Sequence, residues 1–332
     1  MIKRLENNIF QMLASYLVLN STAVESSGLN GKAGFSICLF ELSRLLHDTG
    51  LEDKAYQLIL QASVSQSENI TFEQGLAGIG YAILYLKKRQ FIDVDFRDIF
   101  EKQDRYIHNK LYQLTTCSTH PSSIEHIVAI NQYARIRKSK ELNTMLSKLN
   151  LELIHWHAQQ MQHISTGNID IYDYLKRWNR LLAAIHNLDV IMSSGSAIQA
   201  YFQAYETCRI PYDYETLFYL DSIILKLNNK QLEYEYKQIL RKQFFPMPQF
   251  TMPWRAQLLW GLKHSNNYAV KKWVKDFSQL TREQVESFIN NIYVDINEDF
   301  FSFSQGLQKF LLFMTAVCQS SKERTEITHW FC

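Results

Sequence analysis

Side chains able to hold a metal, move a proton or attack a carbonyl are few in this chain, and their spacing narrows what they can do. A zinc site needs thiolate, imidazole or carboxylate ligands converging on one point, commonly from C-x-x-C or closely spaced Cys and His. The five cysteines, Cys38, Cys117, Cys208, Cys318 and Cys332, are far apart and never form C-x-x-C. That pattern predicts a reducing compartment rather than a disulfide framework. His155, His157 and His163 surround Trp156, but helix positions two apart point to different faces. They read more simply as a solvated helix end or loop than as a metal cluster. His329 and Cys332 make one H-x-x-C pair, with Cys318 a short helix earlier. A site rebuilt there is the less favoured reading, since chain ends are ordinarily loose. Glu25, Glu73, Glu125 and Asp299 precede or enter presumed helix starts. Two carboxylates facing across a cavity would suit glycoside chemistry, whereas the helix macrodipole alone favours an acid at each such position.

The glycines are more informative. Six of the 11 fall in two short segments, Gly28-Leu29-Asn30-Gly31-Lys32-Ala33-Gly34 and Gly75-Leu76-Ala77-Gly78-Ile79-Gly80. Each segment opens an apolar stretch of helical period. A glycine cluster before a helix can cradle phosphate, but no strand precedes either one, and Lys32 is followed by Ala33 where a P-loop has Ser or Thr. Recurrence points instead to a repeated structural unit. Pairing Gly28 with Gly75, and adding Ser122, Gly195, Trp254 and Gly306 as weaker markers, leaves five intervals of 47, 47, 73, 59 and 52 residues, each able to hold one helix out, a loop and one helix back.

Those hairpins need long helices with few breaks. Only 11 Gly and 5 Pro occur among 332 residues, with 46% hydrophobic and 13% aromatic residues. This predicts an all-α chain with a large core and excludes a turn-rich all-β protein. Phe35, Cys38, Leu39, Leu42, Leu45 and Leu46 trace one amphipathic helix, and Leu217, Leu220, Ile224 and Leu227 another. Thr281 with Gln284 reads as a capping box. Ser63 to Asn69 reads as a loop of side chains that compete for backbone hydrogen bonds. Net charge is +2, and the run Arg135, Arg137, Lys138, Lys140 is too short to imply a nucleic-acid partner. Neither a signal peptide nor a membrane span is expected, which predicts a cytoplasmic protein.

The two glycine segments resemble the glycine-rich repeats of the lanthionine synthetase C-like family. The resemblance implies a single-domain α/α toroid over residues 1–332, six helical hairpins forming inner and outer rings. It also implies a zinc held by a Trp-Cys-x-Gly segment and a Cys-His-Gly segment, used to add cysteine thiols to dehydrated residues of a precursor peptide. Neither a Trp-Cys nor a Cys-His dipeptide occurs in this chain. Trp254-Arg255 stands where the resemblance places the first segment, and Ser304-Gln305-Gly306 where it places the second. Ser193 falls at the position of a family histidine assigned to proton transfer. No metal and no cofactor are therefore expected, and these departures from the family pattern point to a pseudoenzyme rather than a zinc-dependent cyclase.

The resulting expectation is a peptide-binding or accessory role in ribosomal peptide modification. Trp254, Arg255, Ser304, Gln305 and Ser193 would line the cavity that takes a peptide or small-molecule ligand. Arg255 would clamp a carboxylate beside Trp254, or else pair with a buried acid. The alternative expectation is an α/α-barrel enzyme acting on carbohydrate, of glycosidase or epimerase type.

Overall fold

The computed structural model describes residues 2–22, 24–117, 124–161 and 229–242, with isolated positions at Trp178, Leu181, Leu182, Gln199, Ile224, Leu227 and Glu283. All regular structure among the described residues is helical, as composition requires. The helices are α1 (Ile2–Ser21), α2 (Lys32–Leu46), α3 (Thr49–Ser63), α4 (Leu76–Lys88), α5 (Phe96–Cys117), α6 (Ile124–Arg137), α7 (Lys140–Met161) and, after the isolated positions, α8 (Lys230–Lys242). Contacts divide the chain into two compact units, Met1–Asp104 with Pro246–Phe331, and Arg105–Phe245 with Cys332.

In the first unit, α2 packs against α1, α3 and α4. Its position follows from its sequence. Every residue of α2 from Ala33 to Ser43 is buried, and α4 is buried from Leu76 to Ile83 and again at Tyr85 and Leu86. A helix apolar on all sides has to lie inside a core. By contrast α3 buries only Leu51, Ala55, Leu58, Ile59 and Ala62, one stripe at helical spacing. Buried Ser36 donates its hydroxyl to the carbonyl of Ala55 at 2.8 Å, joining α2 to α3 without leaving a polar atom unpaired. The second unit repeats the contrast. Helix α6 buries Ile127 through Asn131, Tyr133 and Ala134, whereas α7 buries the stripe Leu142, Leu146, Leu149 and Leu153 with their neighbours Asn150 and Ile154. Broadly buried helices (α2, α4, α6) thus alternate with one-sided ones (α3, α7 and α5, which buries Phe96, Phe100, Ile107 and Leu111).

The same turn chemistry closes both tight hairpins. His47 ends α2 in the left-handed region (φ 55°) and Asp48 then caps α3, accepting from the amides of Gly50 and Leu51. Lys138 ends α6 with φ 51°, and the Ser139 hydroxyl accepts from the amide of Leu142. One left-handed residue reverses the chain, and the next supplies an oxygen to the first amides of the returning helix. Between α3 and α4, Ser65, Ser67, Asn69 and Thr71 each accept a backbone N–H two or three residues on. This is the competition for backbone hydrogen bonds expected of that loop. Ile224 and Leu227 are helical and buried, as the periodicity predicts. The Thr281–Gln284 capping box lies outside the described residues.

The glycine segments set the register of the repeat, and the register differs from the Gly28–Gly75 pairing expected above. Gly31 caps α2 and Gly75 caps α4, both with negative φ and neither with a side-chain cap. The equivalent segments are therefore Gly31-Lys32-Ala33-Gly34 and Gly75-Leu76-Ala77-Gly78. Their negative φ values are open to any residue, so space is what demands glycine. A Cβ on Gly31 would fall 1.9 Å from the carbonyl oxygen of Ser26, and one on Gly75 2.3 Å from that of Asn69. Gly28 has a different task. It lies where the first loop crosses the second, and its Cβ would sit 2.5 Å from the backbone of Glu73 and Gln74.

Gly31→Ala or Gly75→Ala is expected to lower stability by about 2–4 kcal/mol, because only backbone movement relieves the clash. Gly50→Ala, whose Cβ would meet only the Asp48 carboxylate at 3.2 Å, should change it by less than about 1 kcal/mol. Urea denaturation of the three variants checks the difference. Equal small effects would show that the loops do not approach this closely.

Candidate functional site

The loops of residues 24–31 and 69–75 are joined through backbone groups. Leu29 N–H donates to the carbonyl of Phe72 and Asn30 N–H to that of Glu73, the latter at 2.7 Å. Each loop also folds onto the helix it precedes. Lys32 N–H donates to the carbonyl of Ser26, Ala33 N–H to Ser27, and Leu76 N–H to Asn69. These first-turn amides are the donors that a phosphate-cradling helix start would offer to a ligand. Here loop carbonyls accept from them. The glycine clusters are therefore packing devices, and the repeat reading prevails over the phosphate reading.

The loops carry two of the candidate carboxylates, Glu25 exposed and Glu73 partly buried. The side chain of Glu125 and all of Asp299 lie outside the described residues. So do Trp254, Arg255, Ser304, Gln305 and Ser193, and with them the cavity expected from the resemblance. His163, His329, Cys318 and Cys332 lie outside as well. Of the histidines near Trp156, His155 is exposed on α7 and its Nδ1 bonds the carbonyl of Leu151 at 2.8 Å. Among the described residues, no three His, Cys, Asp or Glu side chains cluster as metal ligands would.

A buried charge cluster joins α2 to α4. Glu41 is completely buried, and its carboxylate accepts from Arg89 at both oxygens, Nε at 2.8 Å and Nη2 at 3.0 Å. Tyr85, also buried, donates its hydroxyl to Oε1 at 2.5 Å. Paired geometry of this kind holds an ion pair out of water, where either charge alone would be costly. Arg44 closes the cluster, donating from Nη2 to the carbonyl of Arg89 at 2.8 Å and lying 3.8 Å above the Phe91 ring. Phe91 in turn contacts Phe40, their ring centres 5.1 Å apart. The sequence held a signal for this cluster. Glu41 interrupts the otherwise apolar run Ile37 to Leu42, where an acid survives only with a partner.

The cluster perturbs its own neighbours. Burial, and then the charge of Glu41, raise the Tyr85 hydroxyl well above the ordinary 10.0. The same causes, in the same order, raise the buried Cys38 thiol well above 9.0. A thiol held protonated is a poor nucleophile and a poor metal ligand. With Glu41 bonded at both oxygens and Cys38 inert, this arrangement braces two helices.

In the second unit, Asn131 of α6 and Asn150 of α7 exchange side-chain amide bonds at 3.0 and 2.8 Å within an apolar surround. Each amide satisfies the other, and slipping the hairpin by one turn would strand both. Nearby, a groove of about 830 Å³ is lined by Tyr112 of α5 and, on α7, by residues including Lys140, Met145 and Leu149. The basic run sits at the α6–α7 turn, at a helix end as expected.

Glu41→Leu or Arg89→Met should each cost about 3–5 kcal/mol, since one buried charge is then stranded, while the Glu41→Leu, Arg89→Met double variant should cost less than either. A double-mutant cycle by chemical denaturation checks this, and additive costs would contradict the pairing. Tyr85 adds a pH term. Its pKa is higher folded than unfolded, so above about pH 10 the unfolded chain loses the proton first and stability falls. Tyr85→Phe should flatten that alkaline fall, read as the denaturation midpoint between pH 9 and 11. Cys38 should resist iodoacetamide in the native protein and react after unfolding, which peptide mass mapping detects.

Comparison with protein-family models, with curated proteins and with solved structures finds no match to this chain.

Proposed function

We propose that this chain is a divergent lanthionine synthetase C-like α/α toroid that binds a peptide without zinc-dependent cyclase chemistry, in an accessory role in ribosomal peptide modification. One observation carries the reading. Gly31-Lys32-Ala33-Gly34 and Gly75-Leu76-Ala77-Gly78 open two successive buried helices, their loops interlocked and in the same register. A repeated start on adjacent inner helices is what a toroid built of helical hairpins requires. The alternation of broadly buried with one-sided helices supports the same architecture, the more buried ones forming the inner ring on this reading.

The loss of chemistry is argued from sequence. Arg255 replaces a thiolate with a permanent cation, and Ser304 and Gln305 replace a thiolate and an imidazole with neutral groups that bind zinc poorly. On this reading Arg255 clamps a peptide carboxylate beside Trp254, with Ser193, Ser304 and Gln305 lining the same cavity.

The test is a panel of short peptides with free C-terminal carboxylates, titrated against the protein and followed by tryptophan fluorescence. The proposal expects saturable binding that Arg255→Ala weakens at least about tenfold with the melting temperature unchanged, since a charged hydrogen bond is worth roughly 1.5–3 kcal/mol. Binding retained in Arg255→Ala while the melting temperature falls would make Arg255 a structural ion-pair partner. Absence of binding across the panel would overturn the peptide reading.

A further inference from the structure

We draw no further inference here: the strongest candidate, the groove of about 830 Å³ lined by Tyr112 of α5 and by Lys140, Glu141, Met145, Lys148, Leu149 and Glu152 of α7, balances two basic against two acidic side chains around an apolar floor, and nothing in the structure shows what covers it.

Discussion

Two stretches of backbone cross so closely that no side chain fits between them. With a Cβ on Gly28 only 2.5 Å from the backbone of the second loop, the spacing of α2 and α4 at this end is set by main chain against main chain. The loops exchange backbone hydrogen bonds at the same place, so close approach also satisfies donors and acceptors that burial would otherwise leave unpaired. Both helices start from this junction. Because each is buried around its circumference, neighbouring helices have to be fitted around them.

The far end of the helix pair is tied by charge. Glu41 lies nine residues beyond Lys32, roughly 14 Å along the helix at 1.5 Å per residue. There it meets Tyr85 and Arg89, which sit near and at the end of α4. The two helices therefore run side by side in the same direction, held by backbone contact at their starts and by an ion pair near their ends. Neither tether replaces the other. The glycines permit proximity but would tolerate rotation, whereas the two-point Arg89–Glu41 geometry fixes the facing sides of the helices. Arg44, bonded to the Arg89 carbonyl and stacked on Phe91, holds the partner in place.

Much of this was legible in the sequence. Scarcity of glycine and proline gave the helical class, and the apolar period of Phe35 to Leu46 located α2. The concentration of glycine in two segments marked the repeat. Its register was not legible, because both Gly28 and Gly31 can be paired with Gly75 by eye. Only the cap positions and the crossing of the loops separate their tasks. The Glu41 brace was missed for a related reason. An acid in an apolar helix declares that a partner exists, but that partner lies 48 positions away in sequence, a distance periodicity does not bridge. The turn at His47 and Lys138 was hidden because neither residue type favours the left-handed conformation as glycine does. The cavity residues Trp254, Arg255, Ser304, Gln305 and Ser193 rest on the resemblance alone.

The scaffold and the chemistry therefore have separate foundations. Interlocked glycine loops and alternating helix burial are what the proposed toroid rests on. On the proposed reading, Arg255, Ser304 and Gln305 stand where the family that the chain resembles has its zinc ligands, and that reading carries the loss of the reaction. Since the two can fail independently, the decisive quantity is one that depends on the replaced positions and not on the helices. That quantity is the zinc content of the purified 332-residue protein after dialysis against a weak chelator, measured by atomic emission. The account predicts less than about a tenth of an equivalent per chain, because a guanidinium, a hydroxyl and an amide cannot replace thiolate and imidazole ligands. One tightly held zinc per chain would contradict it and return the protein to metal-dependent chemistry.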